Sequence, residues 1–581
     1  VTQPARDAVR GGGSARAGFA ATLLLAAALC VPYRGYLTDD TFIHLQFAKH
    51  VSRGEGFAFN RGEPTYGATS PLWVGFLALA GRAGVPVEAP GDPESMPPLA
   101  WVAKLMGGAS VLLAVWLLGA TAGRLGWEPG PARVAAGFLA LHAWSARWAL
   151  SGMETPLAVA CVGGSLYLLA RRLRVGTGSL PLGLLLGVGG LVRPELHLLA
   201  LLVLASVAAG ARERRGRSVL AVAAGYALVT LPWLALSSIS FHRLLPNTAA
   251  AKAGAWLDPD RMYGALKAAA EIFLSTDALP IGLFLVLVGT GGAAAAARDR
   301  PRRAFFLVAA LWPLALVFAL AATGTQIVSR YLLPAVPCVL LLGVGALRRL
   351  TSGLPPSRAR LAFAAALLLY AAPNLYLTFR IALPSAVAHT RGLRDSLISI
   401  GLWARARTDP GAEFALPDIG AFGYYSDRRV LDLFGLVTPA MAPIVIRAGY
   451  DTVVREVLYE EVGRPGYLID RAAEPDRLGR PGGEPRPYRF LFARAIPNLG
   501  VTRAVRYVYS VYEIDWRSFE ETHSRTAMGR GLEPSRRIPY NMRTGRQSMK
   551  RGGRNYFSIK QLPPKARVAT EASQPLPSVS R

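Results

Sequence analysis

Apolar residues in this chain gather into blocks separated by short polar turns. The blocks run at roughly 17–33, 71–83, 99–122, 132–150, 155–170, 178–191, 195–210, 218–240, 279–297, 304–322, 330–347 and 361–382. About 20 apolar residues in a helix cross a bilayer core of about 30 Å, so the pattern predicts a polytopic α-helical membrane protein. After about residue 385 the blocks give way to mixed polar and apolar sequence, as expected of a water-soluble α/β domain.

Arginine clusters orient the spans, because Lys and Arg concentrate in short cytoplasmic loops. Arg6, Arg10 and Arg16 precede the first block, and further clusters lie at Arg171 to Arg174, Arg212 to Arg217, Arg298 to Arg303 and Arg348 to Arg360. The N-terminus is therefore expected inside, and the loops at 151–154, 192–195, 241–278 and 323–329 outside. Twelve crossings would return the C-terminal region to the cytoplasm. The block at 71–83, too short for a span, is the one expected not to cross, which leaves about 11 spans. The predicted layout is a cytoplasmic N-terminus (1–16), a transmembrane module (17–382) with a first external loop at 34–70, an extracytoplasmic domain (383–520), and a basic, disordered tail (521–581). The first block lacks a clear small-residue cleavage site and is expected to stay as a span rather than be removed as a signal peptide. The expected location is the cell (inner or plasma) membrane.

Charge fits this picture. The 581 residues hold 65 Lys and Arg against 37 Asp and Glu, a net +28, yet only 18% are charged and 52% are apolar. Nucleic-acid binders present basic surfaces on a polar remainder, so a nucleic-acid partner is not expected. Cys30, Cys161 and Cys338 all fall in or at the end of apolar blocks, with neither disulfide-framework nor zinc spacing, and read as buried free thiols.

The chemistry concentrates in the first external loop. Asp39 and Asp40 follow Thr38, a good N-cap, and acids in a first turn favour a helix start. Phe42, Ile43, Leu45, Phe47 and Val51 then predict an amphipathic helix lying on the membrane surface. Ionisable residues at a membrane boundary are functional candidates; a structural role at the helix start is the alternative.

The paired Asp, the aromatic-rich helix, Gly54-Glu55-Gly56, Phe59-Asn60, Gly62-Glu63, Gly67, Thr69 and Leu72-Trp73 resemble the first external loop of the polytopic GT-C glycosyltransferases. Within these the loop is most similar to the actinobacterial cell-wall (terminal β-1,2-type) arabinofuranosyltransferases and their bacterial relatives. Further matches follow in order: Gly152-Met153-Glu154-Thr155, Arg193-Pro194-Glu195, Pro246-Asn247-Thr248 with Lys252, Arg330-Tyr331 with Pro334, and Asp418 to Tyr425 leading to Asp432 and Gly435-Leu436. The resemblance covers residues 17–440 and implies an inverting enzyme. It would move a sugar, with arabinofuranose the most specific version, from a polyprenyl-phosphate donor to an envelope glycan or lipid acceptor on the outer side.

That chemistry needs a base for the acceptor hydroxyl, and Asp39 or Asp40 fits, since desolvation raises a carboxyl pKa toward the useful range. It also needs cations for the leaving phosphate, and Arg193, Lys252 and Arg330 fall on the outer side. His44, Glu154, Asn247 and Asp418 are the expected substrate contacts. Relatives carry an Arg six residues after the second Asp where this chain has Gln46, an amide without the charge. No cofactor is obligatory for a phosphate-linked donor, and no metal site is assigned, although a divalent Mg²⁺ or Ca²⁺ would suit the Asp pair. No Walker or dinucleotide motif is present. The rival classes are a lipid or saccharide transporter or flippase, which predicts internal repeats, and a non-catalytic envelope protein binding glycan through its C-terminal domain.

Overall fold

The computed structural model describes residues 3–175, 178–210, 215–247, 257–290, 300–479, 487–496 and 507–521. Val1–Phe519 forms one compact unit. Lys252 and all but the first residue of the 521–581 tail lie outside the described residues.

In chain order, α1 (Gln3–Cys30) leads to α2 (Asp39–Ser52) and α3 (Pro71–Arg82). Then come α4 (Pro98–Arg124), α5 (Pro129–Leu141), α6 (Ala143–Ala149), α7 (Thr155–Val175), α8 (Ser179–Val192), α9 (Leu196–Gly210), α10 (Arg215–Phe241), α11 (Pro259–Gly289) and α12 (Arg300–Ala322). Helical stretches at Ser329–Leu350 (α13) and Pro356–Arg407 (α14) complete the bundle. Among the described residues six helices are long and apolar enough to span a membrane, α4 and α10 to α14, and Ala17–Tyr33, Ser179–Val192 and Leu196–Ala209 are shorter apolar helices. The protein is a multi-pass membrane protein. At 12 residues, α3 is only about 18 Å long, well short of a bilayer core.

Two boundaries differ from the sequence expectation. The helix expected at 279–297 begins instead at Pro259, where Asp258 caps it by accepting from the Asp260 and Arg261 N–H groups at 3.0 and 3.1 Å. Lys267, Glu271 and Asp277 interrupt the apolar run there, so hydropathy hides the first turns. Asp277 also breaks the helical dihedrals (φ −117°, ψ 16°). Its buried carboxylate meets His142 Nε2 at 3.2 Å and accepts from Tyr370 and Thr276 hydroxyls at 3.1 and 2.8 Å, which ties the kink to α5–α6 and α14. The second difference is that α14 does not stop near 382 but runs through π-helical turns to Arg407, leading into the C-terminal domain.

That domain carries a five-stranded sheet of order β2-β1-β3-β5-β4, with β1 (Glu413–Leu416), β2 (Arg429–Asp432), β3 (Tyr467–Ala472), β4 (Tyr488–Ile496) and β5 (Tyr507–Ile514). β1 is parallel to β2 and β3, whereas β5 is antiparallel to β3 and β4. A short helix, α15 (Gly420–Ser426), makes the β1–β2 crossover.

The helix α2 departs most from expectation. It does not lie on the membrane surface with one face in water; every residue from Thr41 to His50 is buried. Leu45, Phe47, Trp73 and Leu77 share one hydrophobic core with Leu416, Phe422, Ile469 and Tyr509 of the C-terminal domain. The first loop and the soluble domain thus fold against each other, and the polar face of α2 is covered by protein.

Candidate active site

The site forms where the start of α2 meets the ends of the spans. Thr38 is the extended N-cap of α2, with its hydroxyl 2.9 Å from that of Thr41. Thr41 Oγ1 in turn donates to the Ser151 carbonyl at 2.8 Å, which fixes α2 against the turn that ends in Glu154. Gly152 makes this approach possible. Its φ is +79°, and a Cβ there would stand 2.5 Å from Thr41 Cγ2.

The two acids then part company. Asp39 turns toward the soluble domain, where its Oδ2 accepts the Gly420 N–H at 2.9 Å and its Oδ1 the Ala421 N–H at 2.7 Å, at the start of α15. Burial, reinforced by Asp418 and Asp40, pushes the Asp39 carboxyl up to about 7 against the opposing pull of these N–H groups. Asp40 faces a cavity of about 980 Å³ and pairs there with Arg330.

Around the cavity the charged residues form a connected set. Arg330 also donates to Tyr331 Oη at 3.3 Å, and its guanidinium lies 5.1 Å from the Tyr331 ring and 5.5 Å from that of Trp148. Arg193 covers the Tyr331 ring as well, at 5.3 Å. Pro194 favours an extended residue before it, and Arg193 is extended (φ −148°, ψ 129°), ending α8 so that its side chain reaches back to Glu154 Oε1 at 2.7 Å, Thr155 Oγ1 at 3.2 Å and Glu195 at 2.9 Å. His44 Nδ1 lies 3.8 Å from Glu154 Oε2. Burial holds the His44 imidazole below the usual histidine range; Glu154 and Asp40 oppose that shift, and Arg330 and Arg193 add to it.

The remaining wall is largely apolar. Ile43, Leu198, Leu201, Leu244, Leu245, Leu316, Ala319 and Leu320 contribute, with Leu436 from the soluble domain. Leu201, Leu244 and Leu245 are more than half exposed, so the apolar side of the cavity opens at the helix surface.

Of the residues singled out in the sequence, Asp40, His44, Glu154, Arg193 and Arg330 meet in this cavity. Asp39, Asn247 and Asp418 are not on its wall. Asn247 donates to Thr65 Oγ1 and to the Leu436 carbonyl, both at 3.0 Å, bridging the first loop to the soluble domain. Asp418 is held by Arg471 at 2.9 Å and Tyr509 at 2.7 Å. Gln46 also lies off the wall, donating to the Phe59 carbonyl at 3.2 Å. Sequence reasoning named Tyr331 only within the Arg330-Tyr331 match, without a role, and missed Trp148 and Arg243. Arg243 lines the cavity three residues before the Pro246-Asn247 motif, and that proximity was the available signal. Among the described residues no three His, Cys, Asp or Glu side chains are grouped to hold a metal ion.

Comparison with known proteins follows the same division. Residues 386–523 match a family model described as a domain of unknown function (DUF8728). Over 233 residues the chain is 30% identical to the terminal β-(1→2)-arabinofuranosyltransferase of Mycobacterium tuberculosis (strain ATCC 25618 / H37Rv), a stretch that is 38% of this chain and 35% of that protein. The chain therefore matches about a third of the length of that curated relative. The fold is similar to ArnT from Cupriavidus metallidurans bound to undecaprenyl phosphate (TM-score 0.50, 14% identity, covering 85% of this chain and 97% of that one). It is also similar to the apo oligosaccharyltransferase of Archaeoglobus fulgidus (TM-score 0.52, 14% identity, 78% and 69%) and to the mycobacterial arabinofuranosyltransferase AftD (TM-score 0.52, 18% identity, 86% and 40%). The chain has the GT-C fold, a helical membrane module with a C-terminal sheet domain.

Proposed function

We propose that this protein is a membrane glycosyltransferase that moves a sugar from a polyprenyl-phosphate donor to an envelope glycan or lipid acceptor. The observation that carries the reading is the cavity itself, apolar and open at the helix surface on one side, with Asp40, Arg193 and Arg330 on the other. An isoprenoid chain matches the leucine side. Its phosphate matches the guanidinium groups, which stabilise the charge that develops as the sugar–phosphate bond breaks. Arabinofuranose is the sugar favoured by the likeness to the mycobacterial terminal arabinofuranosyltransferase.

In this reading Asp40 is the base that takes the proton of the acceptor hydroxyl as its oxygen attacks the anomeric carbon from the face opposite the phosphate, inverting that centre. Positioned proton transfer of this kind contributes about 10²–10⁴-fold. Donor phosphate arriving at Arg330 competes with Asp40 for the guanidinium, so donor binding frees the carboxylate for its task. Asp39 acts through position, holding α15 and the soluble domain against the catalytic helix. The Arg-rich loops favour a cytoplasmic side for themselves, which supports a reading with the cavity and the C-terminal domain on the non-cytoplasmic side of the cell membrane. Arg193 and Arg330 supply the counter-charge, and no obligatory cofactor is assigned. A role for Mg²⁺ or Ca²⁺ is tested by chelation, which leaves transfer unchanged if the guanidinium groups suffice.

The test is to incubate the purified protein in vesicles with a panel of polyprenyl-phosphate sugars and follow which lipid is consumed. Polyprenyl-phosphoryl arabinofuranose is expected to be turned over, and Asp40→Asn to slow that by at least about 10²-fold. Consumption of none of the donors by folded protein, or full transfer by Asp40→Asn, overturns the reading.

A further inference from the structure

The cavity holds a second acid–base group that the reaction as described leaves unused. His44 stands one helical turn after Asp40, lines the same cavity, and is 4% exposed. Its Nδ1 faces Glu154 Oε2 at 3.8 Å, and neither atom has a hydrogen-bond partner. Glu154 is anchored through its other oxygen, which accepts from Arg193 Nη1 at 2.7 Å. A neutral imidazole that carries its proton on Nδ1, the nitrogen nearer the Glu154 carboxylate, keeps its lone pair on Nε2. No protein group bonds to Nε2 among the described residues.

Resting on the glycosyltransfer reading above, we infer that His44 is the second proton-transfer group of the reaction and that Glu154 positions it. The acceptor oxygen forms its bond to the anomeric carbon, and the carbon–oxygen bond to phosphate breaks with its electron pair staying on the phosphate. The hydroxyl proton goes to Asp40 and then to His44 Nε2, and the imidazolium finally releases it to water. Asp40 alone is a poor final acceptor, because its ion pair with Arg330 re-forms as the product leaves. An imidazole next on the same helix face takes the proton more firmly once charged, since Glu154 and Asp40 both face it. Arg330 and Arg193 face it too, and with burial they keep it neutral and ready before the reaction. Arg193 thus serves both ends, meeting phosphate and holding Glu154 in line.

Chemical rescue tests this directly. In vesicles with polyprenyl-phosphoryl arabinofuranose, His44→Gly is expected to lower kcat roughly 10²-fold, with donor KM changed less than about threefold. Added imidazole should restore kcat by at least about tenfold while leaving the wild type unaffected, and ring-substituted imidazoles should rescue in order of basicity. The wild-type pH profile should show an acid limb below the usual histidine range, which His44→Gln abolishes and Glu154→Gln shifts. His44→Gly that keeps full turnover, or that loses it without response to imidazole, overturns the inference. If His44→Gly does not fold, an acid limb that persists in His44→Gln overturns it instead. Wild-type protein that consumes no donor refutes the glycosyltransfer reading and this inference with it, whereas an active wild type with unrescued His44→Gly refutes the inference alone.

Discussion

The contact between Asp39 and α15 has no room for a single extra carbon, so Gly420→Ala is the smallest change that tests whether the C-terminal domain is docked on α2. A Cβ at 420 would stand 2.0 Å from the Asp39 carbonyl oxygen, 2.8 Å from its carbonyl carbon and 2.9 Å from Oδ2. The obstacle is mainly backbone and cannot swing aside. Reaching ordinary carbon–oxygen contact requires α15 to retreat by roughly 1–1.5 Å, which takes the 2.9 and 2.7 Å bonds from Gly420 and Ala421 beyond hydrogen-bonding range. Overpacking costs about 1–3 kcal/mol, and stranding a buried polar pair costs about 1–3 kcal/mol more. A total near 2–6 kcal/mol raises the population of undocked forms by roughly one and a half to four orders of magnitude.

Limited proteolysis in detergent, following loss of the intact chain under conditions where opening is fast relative to cleavage, reads that population. Gly264→Ala in α11 is the control, because nothing lies within 4 Å of a Cβ there and the exposed helical site should gain about 0.4–1 kcal/mol. If Gly420→Ala is cut no faster than Gly264→Ala, the docking described here is not what holds the soluble domain, and the positioning role given to Asp39 falls with it.

Arg193→Gln strands Glu154, whose buried carboxylate then lacks its cation. A loss of about 3–5 kcal/mol is expected, read as lower yield and an earlier thermal transition; an unchanged transition would contradict the burial assigned to the pair. For Asp39, a folded-state value of about 7 above the ordinary 3.8 means that its contribution is fully present below about pH 4 and is lost as pH rises through 7. Protease resistance should therefore fall between about pH 4 and 7 in the wild type and stay flatter in Asp39→Asn, as measured with a protease active across that range. Gln46→Arg introduces the residue that the family resemblance implies at this position but buries a guanidinium off the cavity wall, beside the Phe59 carbonyl. Thermal stability should drop with no gain in turnover; a faster enzyme would show that position 46 reaches the substrate after all.

Much of the site was legible before any tertiary contact was known. The paired acids, Glu154, Arg193 and Arg330 all stand out because ionisable residues at the ends of apolar blocks are costly unless they serve a purpose. The two acids could not be told apart. As neighbours on a helix they point about 100° apart, so only what packs on each side gives one to Gly420 and Ala421 and the other to the cavity. Asp418 and Asn247 show the reverse case. Their residue types suit a substrate, but Arg471 and Tyr509 occupy one and a bridge from Thr65 to Leu436 occupies the other. Arg243 escaped notice, and Tyr331 was given no role, because Arg and Tyr are common near membrane boundaries, where they carry no distinguishing pattern.

By itself the sequence determined that this is a membrane protein with a helical module followed by a C-terminal domain of different pattern. Block length and arginine asymmetry are local properties that respond directly to bilayer thickness and loop charge. It also determined where α2 starts, since capping is settled within a few residues by Thr38 and the acids after it. Only the tertiary structure decided that α2 is wrapped in protein rather than laid on the membrane, because an apolar stripe reads the same whether lipid or another domain covers it. Only the tertiary structure formed the cavity, whose central ion pair joins Asp40 and Arg330 across 290 residues, while Asp39 meets Gly420 across 381. Contacts at such separations depend on how whole elements pack, and no pattern of neighbouring residues encodes them.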